Sequence, residues 1–194
     1  MPRPRNIDPL PSAQSAMELF WEQGFHATSI DDLVTHTGAS RHSLYRDFGS
    51  KDGLYLTAFD IYRERVTSPA LASVETPGAD LAAIFAYLEF RVASAERHGL
   101  PGRGCFVANA MTETAPASPE VAAKVAAHLD RLQTAFAAAI ANTAPYLADD
   151  ETGALADTLV TFAMGVESRT RVATSSEPLR QQLAVFRRLI EWRI

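Results

Sequence analysis

Apolar residues recur along most of the chain at spacings of three and four, and the strict alternation that marks strands is rare. That pattern, together with abundant alanine, predicts an all-α protein. A first helix is predicted over about residues 9–23, with Ala13, Ala16, Met17 and Phe20 on its buried face and Gly24 as its stop. Thr28 or Ser29 caps a short second helix whose apolar stripe is Ile30, Leu33 and Val34. Gly38 suits a left-handed turn, and Ser40 then caps a third short helix carrying Leu44 and Tyr45. Ser50 caps a fourth helix predicted to run from Lys51 to about residue 73.

Further on, Leu81, Ile84, Phe85, Leu88 and Val92 repeat at helical spacing, and the glycine- and proline-rich stretch 99–104 reads as a turn. A short helix is expected over about 105–114, before Pro116 and Pro119 interrupt the chain. Val121, Val125, Leu129, Leu132, Phe136 and Ile140 mark the next helix. Asp149, Asp150 and Glu151 place negative charge where a following helix would begin, its stripe being Leu155, Leu159, Phe162 and Val166. Ser176 and Pro178 open a last helix with Leu179, Leu183, Phe186 and Ile190.

Two short helices joined through Thr37, Gly38 and Ala39 have the local form of a helix-turn-helix. Such a unit must be small, because its second helix has to enter a major groove about 12 Å wide while the first braces it. Ile30, Leu33, Val34 and Leu44 would lock the pair, leaving Ser40, Arg41, His42, Ser43, Tyr45 and Arg46 as the polar residues around the third helix. The net charge of −5 speaks against a surface that binds nucleic acid everywhere, yet it allows a local basic patch. Residues 1–7 and 33–46 contain no acid and hold Arg3, Arg5, Arg41 and Arg46.

The run Gly24-Phe25-His26-Ala27-Thr28-Ser29-Ile30, then Gly38-Ala39-Ser40, Leu44-Tyr45, Phe48, Ser50-Lys51 and Leu54, resembles the DNA-binding domain of the TetR family of transcriptional regulators. The resemblance is strongest over residues 13–60. It implies a three-helix, helix-turn-helix DNA-binding domain over residues 1–54 and a larger helical effector-binding and dimerisation domain over 55–194. Thr28, Tyr45 and Lys51 match positions that grip phosphates in that family, and Ser40, Arg41 and Ser43 fall on the part of the third helix that faces bases. His42 is a further candidate DNA contact, and Arg3 and Arg5 could extend the grip as an arm. Asp47 departs from the family's usual uncharged residue, and it either repels phosphate or pairs with Arg46 or Arg41.

The same resemblance implies a homodimer on a palindromic double-stranded DNA operator and a small-molecule effector of unspecified identity. Phe85, Leu88, Cys105, Phe106, Asn109, Met111, Phe136 and Met164 are the candidate effector-pocket residues. Phe162, Val166, Leu183, Phe186, Ile190 and Trp192 are the candidate dimer residues, on helices expected near 153–173 and 177–192. Both sets are also explained by a plain intrachain core. Cys105, in Arg103-Gly104-Cys105-Phe106, resembles a Gly-Cys-hydrophobic segment found in one branch of the family, where the cysteine in some members senses electrophiles. A small buried hydrophobe is the other reading of it.

Other function classes find less support. His42-Ser43 and His128-Leu129-Asp130 are the nearest approach to a catalytic grouping, without a nucleophile elbow or metal-ligand spacing, so neither an enzyme, a cofactor nor a metal is expected. The charged residues at the N-terminus are not followed by an apolar stretch, no run nears the ~18 apolar residues of a membrane span, and Cys105 has no partner for an intrachain disulfide, so a cytoplasmic protein without membrane contact is expected. A repressor is the leading expectation. The alternatives are an activator of the same fold and a helical interaction module that does not bind DNA.

Overall fold

A computed structural model of the chain describes residues 9–194, and every regular element among them is helical. The chain divides into two units between Arg65 and Val66.

The first unit contains α1 (Leu10–Gln23), α2 (Ile30–Thr37), α3 (Arg41–Phe48) and α4 (Lys51–Tyr62). Pro9 takes the N-cap of α1 and Pro11 sits in its first turn, where a missing amide hydrogen is harmless. Gly24 ends the helix at a φ of 89°, which favours glycine. α1 packs along α4 and against α2, while α3 lies on α2 and α4. Phe20, Leu33, Leu44, Leu54, Tyr55 and Phe59 fill the core between them. Burying each such side chain contributes roughly 1.5–3 kcal/mol. The Phe20 and Tyr55 rings meet edge to face at 5.1 Å. Leu54, the expected end of this domain, is a buried residue inside α4, so a division there would cut the helix that α1 rests on.

The fourth helix is shorter than its pattern predicts. A π-helical turn follows over Arg63–Thr67, then a four-residue helix α5 (Ser68–Leu71). Pro69 has no amide hydrogen to offer the carbonyl four residues back, and the wide turn absorbs the break.

The second unit holds α5, α6 (Leu81–His98), α7 (Phe106–Glu113), α8 (Pro119–Thr143), α9 (Asp149–Arg169) and α10 (Glu177–Arg193), with a 3₁₀ turn at Ala115–Ala117. Asp80 and Ser118 cap α6 and α8 through side-chain acceptors. The acids Asp149, Asp150 and Glu151 occupy the first turn of α9, matching the helix dipole. α8 packs along α9 and also touches α6 and α7. Its buried face runs Val121, Val125, His128, Leu132, Phe136 and Ile140, so His128 takes the place expected for Leu129. Val92, Val166 and Leu179 form a smaller cluster joining α6, α9 and α10, covered by Phe162 and Ala173.

Candidate functional site

The turn between α2 and α3 is fixed by local hydrogen bonds. Ser29 and Asp32 form a reciprocal capping box: the Asp32 amide donates to Ser29 Oγ at 3.1 Å, and the Ser29 amide donates to Asp32 Oδ2 at 2.8 Å. The Ser29 hydroxyl also donates to Asp32 Oδ2 at 2.6 Å, and this bond, followed by that from the Ser29 amide, holds the Asp32 carboxyl below its ordinary range. Gly38 then turns the chain at a φ of 70°, its amide donating to Val34 O. Ser40 caps α3 by accepting from the Ser43 amide at 3.1 Å, and the two serine hydroxyls are 2.9 Å apart. Leu33 and Leu44 are buried, one from each helix, and set the angle of the pair.

The exposed residues around α3 are Ser40, Arg41, His42, Tyr45, Arg46 and Asp47, with Ser43 half-buried among them. Of the seven candidate DNA-contacting side chains, Ser40, Arg41, His42 and Tyr45 are exposed and Ser43 and Lys51 half-buried. Thr28 is the correction: it is 0 % exposed, and its hydroxyl donates to Gly24 O at 2.6 Å. A short β-hydroxyl side chain beside a tight turn satisfies the nearest carbonyl, which leaves it no reach to a phosphate. Arg3 and Arg5 lie outside the described residues.

Both arginines of this face have acidic partners. Arg41 pairs with Asp31 of α2. Arg46 forms two bonds to Asp47, at 2.7 and 2.8 Å, which holds that carboxyl below its ordinary range and raises the guanidinium. Asp47 thus pairs with Arg46 and not with Arg41. Both pairs are exposed, so each opens at little cost when a phosphate or guanine competes. Lys51 opens α4 with its ammonium 4.2 Å from the centre of the Phe25 ring. Ser50 caps that helix, accepting from the Gly53 amide at 3.0 Å.

Gly53 escaped the sequence reading. A Cβ there would stand 2.1 Å from the carbonyl oxygen of Phe48, so only glycine lets α4 begin directly against the end of α3. The Gly inside a strong helix start was the available signal.

In the second unit, Phe85, Leu88, Phe106, Phe136 and Met164 are buried and pack as core on α6 to α9. Met111 is exposed. Asn109, a candidate effector-pocket residue, donates to the Arg103 carbonyl at 3.0 Å and so tethers the loop before α7. Cys105 is buried at the N-cap of α7, the environment of a small hydrophobe. The polar groups of this interior were missed in the sequence: Tyr87, His128 and the pair Arg91–Glu167, bonded twice at 2.8 and 2.7 Å.

The expected dimer residues divide into two groups. Val166, Leu183 and Ile190 are buried within the chain, where α9 and α10 face their own neighbours. Phe162 and Phe186 are half-buried and stack at 3.8 Å, flooring a groove of about 500 Å³ also lined by Pro178, Gln181, Val185 and Leu189. Val185, Leu189 and Trp192 follow each other at spacings of four and three on one face of α10, and Trp192 is 87 % exposed. Trp192, one of the expected dimer residues, thus stands with Val185 and Leu189 on the exposed apolar face of α10.

Residues 14–58 match the model of bacterial regulatory proteins of the tetR family, and residues 81–186 match that of tetracyclin repressor-like C-terminal domains. The chain is 32 % identical over 136 residues to the HTH-type transcriptional regulator YezE of Bacillus subtilis (strain 168), a stretch covering 70 % of each protein. It is 32 % identical over 120 residues to the HTH-type transcriptional repressor ComR of Escherichia coli (strain K12), covering 62 % of this chain and 57 % of ComR. Among solved structures it is similar to a cysteine-substituted form of the TetR family regulator CifR in complex with 26-base-pair double-stranded operator DNA. That likeness has a TM-score of 0.80 at 26 % identity and covers 96 % of this chain and 98 % of CifR. With more than half of its length matched by the two family models and a helix-turn-helix whose recognition helix presents its polar face, the chain belongs to the TetR family of transcriptional regulators.

Proposed function

We propose that the protein is a homodimeric, ligand-responsive repressor that binds a palindromic double-stranded DNA operator. The observation that carries this reading is the rigidly capped α2–turn–α3 unit with Ser40, Arg41, His42 and Tyr45 exposed on α3 and Lys51 at the head of α4. Arg41 is assigned to guanine, whose O6 and N7 match its forked donors, at about 1–3 kcal/mol of discrimination. Ser40, His42 and Ser43 are assigned to base edges or nearby phosphates, and Tyr45 and Lys51 to phosphates. The DNA-binding unit extends through α4 to about Arg65. ComR's name as a repressor supports the direction of regulation.

The groove floored by Phe162 and Phe186, with Val185, Leu189 and Trp192 beside it, is assigned to the second copy. Two recognition helices must lie roughly 34 Å apart to enter successive major grooves, which a two-fold dimer can supply. An effector bound in the second unit would favour a dimer form that cannot hold both half-sites together, and operator affinity would fall. The site of action is the cytoplasm. Among the described residues no helix is long and apolar enough to cross a membrane.

The test combines sedimentation with nuclease protection of operator DNA, for the wild-type chain and Leu189→Glu. A wild-type dimer protecting two half-sites is expected, with Leu189→Glu monomeric and its operator affinity at least about tenfold weaker. A wild-type monomer, or a dimer unaffected by Leu189→Glu, removes the proposed interface. The absence of any protected DNA removes the repressor reading.

A further inference from the structure

Three helices of the second unit each carry ionisable groups into its interior: Tyr87 and Arg91 on α6, His128 on α8 and Glu167 on α9. Arg91 and Glu167 satisfy each other through two bonds, with side chains 10 % and 6 % exposed. Tyr87 is buried beside this pair. His128 is different. It is 3 % exposed, and neither ring nitrogen has a hydrogen-bond partner among the described residues. A buried polar group without a partner is destabilising. The positions one turn away on the same face, Val125 and Leu132, are apolar, so an aliphatic residue would suit position 128 by packing alone.

The charges around this imidazole restrict what it can meet. Arg91 and Glu167 pair with each other, Arg131 pairs with Glu75, Tyr87 is neutral, and burial holds His128 neutral. A carboxylate or an ammonium entering here would be buried without a free counter-charge, which disfavours it. A neutral imidazole offers one N–H donor and one acceptor nitrogen, and a hydroxyl can complement either. We infer that His128, beside the Arg91–Glu167 pair, is the recognition group of an effector site for a small neutral organic molecule bearing a hydroxyl, of the phenol or cyclic-alcohol class. The apolar body of that molecule packs against the α8 face on either side of His128, at Val125 and Leu132. This inference rests on the ligand-responsive reading above and names its site and ligand chemistry.

The experiment uses the full-length protein with phenol, cyclohexanol and benzoate as probes. Long-range ¹H–¹⁵N spectra follow the five histidine rings, and loss of one signal set in His128→Phe assigns His128. Phenol or cyclohexanol at millimolar concentration is expected to shift the His128 ring nitrogens, while benzoate leaves them in place. His128→Phe is expected to weaken binding of the active probe about tenfold, the worth of one hydrogen bond. His128→Gln, which keeps a donor and an acceptor, should retain most of the affinity. Three results each overturn the inference: a ring that no neutral probe shifts, as for a histidine satisfied by a structural water only; benzoate binding as tightly as phenol; or affinity unchanged in His128→Phe. Operator retention is measured on the same samples without probe. A protein that binds no DNA sinks the repressor reading, while the ring shifts still decide the site.

Discussion

Acidification should reveal what it costs to bury His128. An imidazole in the unfolded chain takes its proton near 6.5, whereas burial pushes that of His128 down to about 4. Glu167 of α9 pulls the other way, and Arg91 of α6 and Arg131 of α8 add to the depression. Between those two values the unfolded chain holds more protons than the folded one, so stability rises with pH. The contribution of this neutral imidazole is full above about pH 6.5, is lost as pH falls toward 4, and is constant below that. A difference of that size corresponds to about 3 kcal/mol, a large part of the 5–15 kcal/mol that holds a typical domain together. Urea unfolding of wild type and His128→Phe, at one protein concentration and a series of pH values between 7 and 4, isolates the effect. Carboxylates with lowered pKa values, such as Glu75 and Glu96, titrate in both proteins and cancel in the difference. The two stability curves should diverge by about 3 kcal/mol over that range, with the wild type falling faster. Parallel curves would refute the buried, unpartnered imidazole and the ligand chemistry built on it.

Gly53→Ala should destabilise the first unit by roughly 1–3 kcal/mol because the new methyl meets the Phe48 backbone at 2.1 Å, whereas Gly38→Ala, with open space but a φ of 70°, should lose about 1 kcal/mol; denaturant midpoints compare them. Asp47→Asn frees Arg46 from its bidentate partner, so operator affinity should rise and the slope of log K against log salt should steepen by about one ion, as read by fluorescence anisotropy. Glu167→Gln leaves the Arg91 charge buried and should cost about 3–5 kcal/mol, while a double replacement of Arg91 and Glu167 by apolar residues should cost much less, as chemical denaturation would show.

Local signals carried most of the first unit into the sequence. Gly24 and Gly38 stop helices at positive φ, and Ser29, Ser40 and Ser50 cap the next ones, all within a few residues of the groups they bond. Thr28 was misread because position alone does not reveal that its hydroxyl turns inward to Gly24. Periodicity found the helices of the second unit but not the use of their faces. Val166, Leu183 and Ile190 fit an interface stripe, yet they point into their own chain, and the outward stripe is Val185, Leu189 and Trp192. Arg91 and Glu167 are 76 residues apart in sequence, and no local pattern pairs them. His128 was hidden by Leu129, since either residue satisfies helical spacing and only the packing of α8 on its neighbours decides which is buried. The break at Pro69 was readable, and the prediction of an unbroken fourth helix overlooked it.

The most direct test of the account is retention of genomic DNA fragments by the purified protein at two salt concentrations, followed by sequencing, for wild type and Arg41→Ala. The account predicts enrichment of one palindromic site, steep loss of affinity with salt, and relaxed discrimination at one position of each half-site in Arg41→Ala, by about 1–3 kcal/mol. Absence of any enriched site, or an Arg41→Ala protein that selects the same site with unchanged preference, would contradict it.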